Sequence, residues 1–307
     1  MKKNPAKLLS TGVVFGLTAI ILLFPEKSLY FACNGLNLWF QNMIPTLFPF
    51  MVLSGIMIRM NLTDSFVKLL KPILQPVFRI NSDCLYAIII GFLCGFPMGA
   101  NVSAQLYERK KITYKEAEFL LAFCNNIGPV YFISFALPTM GITGHIILFL
   151  LGMYGIPFLY GILLRYTLYR NAINPQNESK RSVLPADSFL QALDESVMAS
   201  LTSITKLGGY MIFFNLLNIL PFLFIKNRLL NSVISGILEI TGGIRALSSS
   251  LPLLTLCLLP FGGFSCIAQT YSMIKGTGLS LKKYVIHKLI LTAFSFIYYC
   301  FLAGISF

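Results

Sequence analysis

The chain has 307 residues, 56% of them hydrophobic and 11% charged, with a mean hydropathy of +0.75; soluble domains carry about 25% charged residues. This composition leaves no room for a sizeable soluble domain and defines an all-α, polytopic membrane protein with roughly five spans of about 20 apolar residues. The net charge of +13 comes from short Lys/Arg clusters between apolar runs, so it reads as positive-inside topology. The lipid bilayer, and no nucleic acid, is the implied partner.

In chain order, Lys2, Lys3 and Lys7 precede the apolar run 8–24. No small-x-small cleavage site follows it, so residues 1–35 are expected to hold an uncleaved first span with its N-terminus in the cytoplasm. A second span is expected over 36–58, with Trp39 as an interface anchor and Pro45 and Pro49 as kinks. From 64 to 79, apolar residues recur at helical spacing among Lys68, Lys71 and Gln75, which predicts an interfacial amphipathic helix.

Residues 84–107 carry Gly95-Phe96-Pro97-Met98-Gly99 in their middle and basic residues at both ends. The first arm, 84–94, would be only about 16 Å long, half the hydrocarbon core. A helical hairpin that enters and leaves on one side is therefore predicted, against a Pro-kinked span. A span over 119–137 is interrupted by Asn125-Asn126-Ile127-Gly128-Pro129, and another follows over 142–164. These complete a first transmembrane repeat, 36–164.

A polar cytoplasmic linker, 165–195, separates it from a second repeat, 196–307. There the expected elements are a long span over 197–225 containing Lys206, a moderately apolar stretch over 229–250 with Glu239-Ile240-Thr241-Gly242-Gly243, and a second hairpin over 251–273 turning at Pro260-Phe261-Gly262-Gly263. A last span covers 284–307. Seven cysteines form no CxxC pair, and the two histidines have no partner at metal-ligand spacing. Neither a disulfide frame nor a metal is expected.

Laying 95–107 on 259–271 pairs Gly99 with Gly263, Ala104 with Ala268, Gln105 with Gln269 and Tyr107 with Tyr271. Breaks at corresponding places in two halves predict an inverted repeat with two re-entrant hairpins and broken helices. In that topology fifteen Lys/Arg lie inside and eight outside, with Lys206 within a span. Lys275, Lys282 and Lys283 are the misfit on the outer side: were they cytoplasmic, this inverted arrangement would fail.

Backbone without helical hydrogen bonds is tolerated at membrane depth only where protein buries it or it lines a wet cavity. The candidate substrate-binding residues accordingly cluster at the breaks. Gly95, Gly99, Gly262 and Gly263 would let the tips turn sharply and bring backbone N–H groups close to a ligand, or would pack helices closely; Phe96 and Pro97, within the first tip, are counted with them. Asn101, Gln105, Asn125, Asn126 and Gln269 donate and accept, which suits a heterocycle or carboxylate, or bonds between helices. Glu239, beside Thr241, lies in a largely apolar stretch and is a candidate intramembrane coupling group for H+ or Na+, or else a salt-bridge partner of Arg245 or a residue at the interface.

Four segments together resemble a known family: GFLCGFPMGANVSAQLY (91–107), KKITYKEAEFLLAFCNN (110–126), LEITGG (238–243) and PFGGFSCIAQ (260–269). They are similar to the nucleoside-recognition or Gate-domain membrane proteins and, within them, to the YlbJ-type sporulation integral membrane proteins. The resemblance covers roughly residues 40–300. It implies a fold similar to concentrative nucleoside transporters, with substrate held near mid-membrane between opposed hairpins, and no organic cofactor. It also implies a bacterial cell-membrane location, in a spore former the outer forespore membrane, and dipicolinate as solute, otherwise a nucleoside-like one. An alternating-access transporter of a small polar or anionic metabolite is the expected function, with a non-transporting sporulation scaffold or receptor as the rival. HExxH, GxSxG and paired intramembrane aspartates do not occur, so no enzyme is expected. A homo-oligomer is compatible with this reading.

Overall fold

A computed structural model describes residues 5–173, 186–247 and 251–306, and the described residues contain helices and no strand. In order they are α1 (Pro5–Leu23), α2 (Pro25–Arg59), a helical turn Thr63–Val67, α3 (Lys71–Phe78), α4 (Ser82–Cys94), α5 (Met98–Glu108), α6 (Tyr114–Phe123) and α7 (Pro129–Thr139). There follow α8 (Ile146–Tyr166), α9 (Phe189–Phe224), α10 (Arg228–Leu238), α11 (Ile240–Leu247), α12 (Pro252–Leu258), α13 (Gly263–Ile274) and α14 (Leu281–Ser306). Five described segments are long and apolar enough to cross a membrane: α2, α8, α9, α12 with α13, and the Leu281–Ala303 part of α14. Large apolar side chains such as Phe15, Leu22, Phe40, Leu190, Ile297 and Phe301 point outward, as a lipid-facing surface requires.

The second span is longer than its apolar core suggested, running 35 residues from Pro25. Pro45 does not break it, because the turn Trp39–Met43 just before is widened to the π form and absorbs the missing N–H. α2 lies antiparallel along α9. Gly55 meets Ser196, the Trp39 indole donates to the Ile204 carbonyl (2.8 Å) and stacks on Gly208, and Gly35 meets Met211 and Ile212. Small residues on one helix facing larger ones on the other let two backbones approach this closely. The expected amphipathic helix is divided at residues 68–70, since Pro72 starts a fresh helix at α3, where its absent N–H costs nothing.

α4 and α5 form a helical hairpin over 82–108. Ideal Cβ atoms built on Gly91 and Gly99 would stand 2.3 and 2.4 Å from the same Cys124 carbonyl oxygen, whereas eight residues of straight helix would part them by about 12 Å. The chain reverses at Gly95, whose φ of +85° lies in the region that favours glycine.

The second hairpin is not where the sequence placed it. α12 and α13 continue in nearly one direction as a single 23-residue span, so the break 259–262 interrupts a crossing helix instead of reversing it. The reversal lies earlier, at Glu239 between α10 and α11. A Cβ on Gly243 would fall 2.1 Å from the Gly236 Cα, an approach that seven residues of straight helix, about 10 Å, forbid. Gln105 and Gln269, paired by the sequence repeat, therefore lie in different kinds of element: a hairpin arm and half of a crossing span.

This shift explains the misfit in the charge count. The Tyr114 hydroxyl donates to the Gly278 carbonyl (3.3 Å), and Lys283 pairs with Glu118. Residues 275–283 thus lie against 114–118, not on the opposite side, because the preceding segment crosses rather than turns back. Lys288, counted among the outer charges, is instead fully buried within the last span.

The base of the first hairpin is tied to the start of α9 by four charges. Arg109 pairs with Asp187 at 2.6 Å, Arg59 pairs with Glu195, and the cross pairs Arg59–Asp187 and Arg109–Glu195 are 3.6 and 3.7 Å. Such a shared network holds better than isolated surface pairs.

Candidate functional site

The breaks and one hairpin tip converge on the first half of α14. The segment 124–128, which interrupts α6 and α7, docks into the first hairpin: Gly128 lies on Gly95 and Cys94, and Cys124 between Gly91 and Gly99. From the other repeat, Gly262 lies against the ring edge of Phe96, with an ideal Cβ 3.0 Å from Cζ. Gly263 packs on the carbonyls of Gly236 and Ile237, beside the second hairpin tip. Thus each helix break seats on a hairpin, and Phe96 with Gly262 joins the two assemblies.

Asn125 braces this junction. Its amide donates to Thr270 Oγ1 (2.9 Å) and to the Tyr284 hydroxyl (3.1 Å), and its carbonyl oxygen accepts from the Ala100 backbone N–H (3.4 Å). Ala100 is in the first turn of α5, where N–H groups have no partner inside the helix, so Asn125 also caps that arm. Asn126 donates to the Phe123 carbonyl (2.6 Å), which turns its oxygen toward the Lys288 ammonium at 3.1 Å. Lys288 also lies 4.6 Å from the Phe96 ring centroid and 5.8 Å from that of Tyr284.

Glu239, at the second tip, is buried, and its carboxylate accepts from the Gly242 N–H (2.8 Å). Thr241 and Asn215 are within hydrogen-bonding reach of the same carboxylate, and Asn218, whose Oδ1 is buried without a partner, lies beside them. The side chain of Arg245, the other partner considered for Glu239, lies outside the described residues. Cys266 lies under the contact of Phe96 with Gly262, against Gly262.

The remaining candidates lie apart or bond locally. Pro97 opens α5 next to the tip. Asn101 accepts from Gln105 one turn on (3.1 Å), and Gln105 faces a cavity of about 140 Å3 at the hairpin base, lined also by Arg59, Glu108 and Arg109. Gln269 donates to Ser265 (3.0 Å) within its own helix. Lys206 is exposed on α9, away from the junction. Sequence reasoning missed Lys288, Tyr284 and Thr270. The available signal was Tyr284 and Lys288 one helical turn apart at the start of an otherwise apolar run.

Three of the seven free thiols, Cys94, Cys124 and Cys266, belong to this junction, the latter two buried, while Cys300 is exposed. Asn125, Thr270 and Lys288 have no solvent exposure, so the junction is closed in this conformation.

Hairpin and break elements around a buried polar junction, among helices long and apolar enough to cross a membrane, define a polytopic membrane protein. Comparison with known proteins is in keeping with this: residues 40–157 match the family model described as Gate, nucleoside recognition, and the chain is an integral membrane protein. It is 23% identical over 317 aligned residues, covering 89% of this chain and 77% of the relative, to Sporulation integral membrane protein YlbJ of Bacillus subtilis (strain 168). No solved structure matches the chain.

Proposed function

We propose that the protein is an alternating-access transporter of a small polar or anionic metabolite, which binds where Phe96 meets Gly262. The observation that carries this reading is the convergence of two helix interruptions, 124–128 and 259–262, and a hairpin tip on buried, hydrogen-bonding side chains with no aqueous exposure. Non-helical backbone is kept at membrane depth for that purpose in secondary transporters.

The element order supports an inverted repeat. A long helix, a hairpin, an interrupted span and a further span follow one another from α2 to α8, and again from α9 to α14. With the second hairpin at Glu239, a chain starting inside reaches residues 275–283 on the inner side. Eighteen Lys/Arg then lie inside against four outside, which fits the positive-inside rule better than the sequence-based topology did. On this reading both hairpins are re-entrant, from opposite faces.

For the solute there are two candidates: dipicolinate, which the resemblance noted in the sequence implies, and a nucleoside, which the Gate description favours. The test is thermal stability of detergent-purified protein with dipicolinate and a nucleoside panel, followed by uptake into proteoliposomes. A saturable stabilisation by one class, with uptake of the same compound, is expected. Folded protein that neither binds nor moves any of them would replace the transporter by a non-transporting scaffold.

A further inference from the structure

Two membrane-length helices end at one cavity. It measures about 280 Å3 and lies between the start of α6, the turn that follows α8 and the start of α14, with Lys115, Glu118, Leu168, Tyr169, Lys283 and His287 in its lining. Because α8 and α14 are long and apolar enough to cross a membrane, a cavity at their ends opens at the level of the lipid headgroups. Its walls are fixed. The buried Arg165 donates to the carbonyls of Tyr169 (3.3 Å) and Ile173 (3.1 Å), which folds the turn after α8 back on itself, and Tyr169 packs on Phe119. His287 is held through Nδ1 by the Tyr160 hydroxyl at 2.7 Å.

The charges at this cavity do not cancel. The Glu118 side chain is only 5% exposed, and each of its two oxygens takes one lysine: Lys115 at 3.1 Å, and Lys283 from α14. One carboxylate neutralises one cation, so the cluster keeps a surplus positive charge. Both lysines are half-exposed, and each spends on Glu118 one of the three donors an ammonium carries. The buried carboxylate thus holds two mutually repelling cations beside one cavity, with donors to spare.

The remaining lining is apolar. Leu168 is 65% exposed and Ile286 45%, a rim that a soluble anion would leave uncovered. A phosphodiester with an acyl chain beside it meets both needs: the phosphate accepts charge-assisted bonds from the two lysines, and the chain covers the leucine and isoleucine.

We infer that this cavity binds one anionic phospholipid, with its phosphodiester clamped between Lys115 and Lys283. Glu118 is the positioning residue that keeps the two lysines together. The bound lipid ties α6, the end of α8 and α14 to one another at the membrane surface. This goes beyond the transporter reading and does not rest on it, since it uses no residue of the buried junction.

The experiment measures lipid retention by native mass spectrometry, together with melting, for detergent-purified protein given phosphatidylglycerol, phosphatidylcholine or inorganic phosphate. Wild type is compared with Lys283→Met, with Lys115→Met/Glu118→Gln/Lys283→Met, and with the control Lys68→Met/Lys226→Met, which removes two exposed lysines elsewhere. The triple variant leaves no buried carboxylate unpaired, and Lys283→Met leaves Glu118 its bond to Lys115. A lysine near an anionic headgroup contributes a factor of roughly 5, so wild type should prefer phosphatidylglycerol to phosphatidylcholine by roughly 25-fold. Lys283→Met should lose roughly 5-fold of that preference and the triple variant nearly all of it, while the control keeps it.

Equal retention of the two lipids by wild type would overturn the assignment, as would an unchanged preference in either folded cavity variant or an equal drop in the control. Stabilisation by inorganic phosphate as large as that by phosphatidylglycerol would also overturn it, by making the cavity a site for a soluble anion.

Discussion

Gly99→Val is expected to yield almost no monodisperse protein after detergent extraction. A Cβ at this position would meet three backbone atoms, the Cys124 oxygen at 2.4 Å, its carbonyl carbon at 2.8 Å and the Asn125 Cα at 2.9 Å. Backbone has no rotamer by which to yield, so the clash is relieved only by lifting the 124–128 segment out of the hairpin. Overpacking of tight sites costs about 1–3 kcal/mol and sometimes more; valine here belongs at the upper end, about 3 kcal/mol or beyond. Gly99→Ala should already lower the melting temperature clearly. Gly12 in α1, with nothing within 4 Å of an added Cβ, is the internal control: Gly12→Ala should be neutral or gain up to about 1 kcal/mol from helix propensity. Equal stability of the two alanine variants would mean that the hairpin does not clasp this break.

The second large effect belongs to Asn125→Ala. Thr270 retains its own bond to the Cys266 carbonyl (2.8 Å), but the Tyr284 hydroxyl and the Ala100 N–H lose the Asn125 partner. Each buried polar group left unsatisfied costs about 1–3 kcal/mol, so a loss of about 2–4 kcal/mol is expected. It should appear as a lower melting temperature and, on the proposed transporter reading, as loss of uptake by the protein that survives. Gln105→Ala, which gives up one local bond beside a cavity at the hairpin base, should cost well under half as much. If the two variants melt together, Asn125 does not brace α5 to α13 and α14 as described.

The first hairpin was legible because several signals agreed: an arm too short to cross, basic residues at both ends, and GFPMG at its centre. The second was misplaced because Pro260-Phe261-Gly262-Gly263 is the stronger turn signal by composition, while the true reversal at Glu239 depends on Gly236 and Gly243 facing each other across two helices. That contact is long-range, and no local spacing announces it. The error then carried into the topology, where Lys275, Lys282 and Lys283 already stood out as misfits. Asn125 and Asn126 were singled out correctly as residues of an interrupted helix, but sequence does not reveal that Asn125 is fully engaged with Ala100, Thr270 and Tyr284. Lys288 was absorbed into a loop count, since four lysines within 275–288 look alike until the helix start at Leu281 separates them.

The thiols at the junction give the unmodified chain a built-in clock. Cys124 lies between the arms of the first hairpin and Cys266 under the contact of Phe96 with Gly262, whereas Cys300 faces outward. A lipid-soluble alkylating reagent should therefore reach Cys300, on the outer face of the last span, without any change of conformation, and the two buried thiols only when the packing around them opens. The lag between the two phases reports how frequently the closed molecule opens, and any solute that holds it shut should lengthen that lag without touching the exposed thiol.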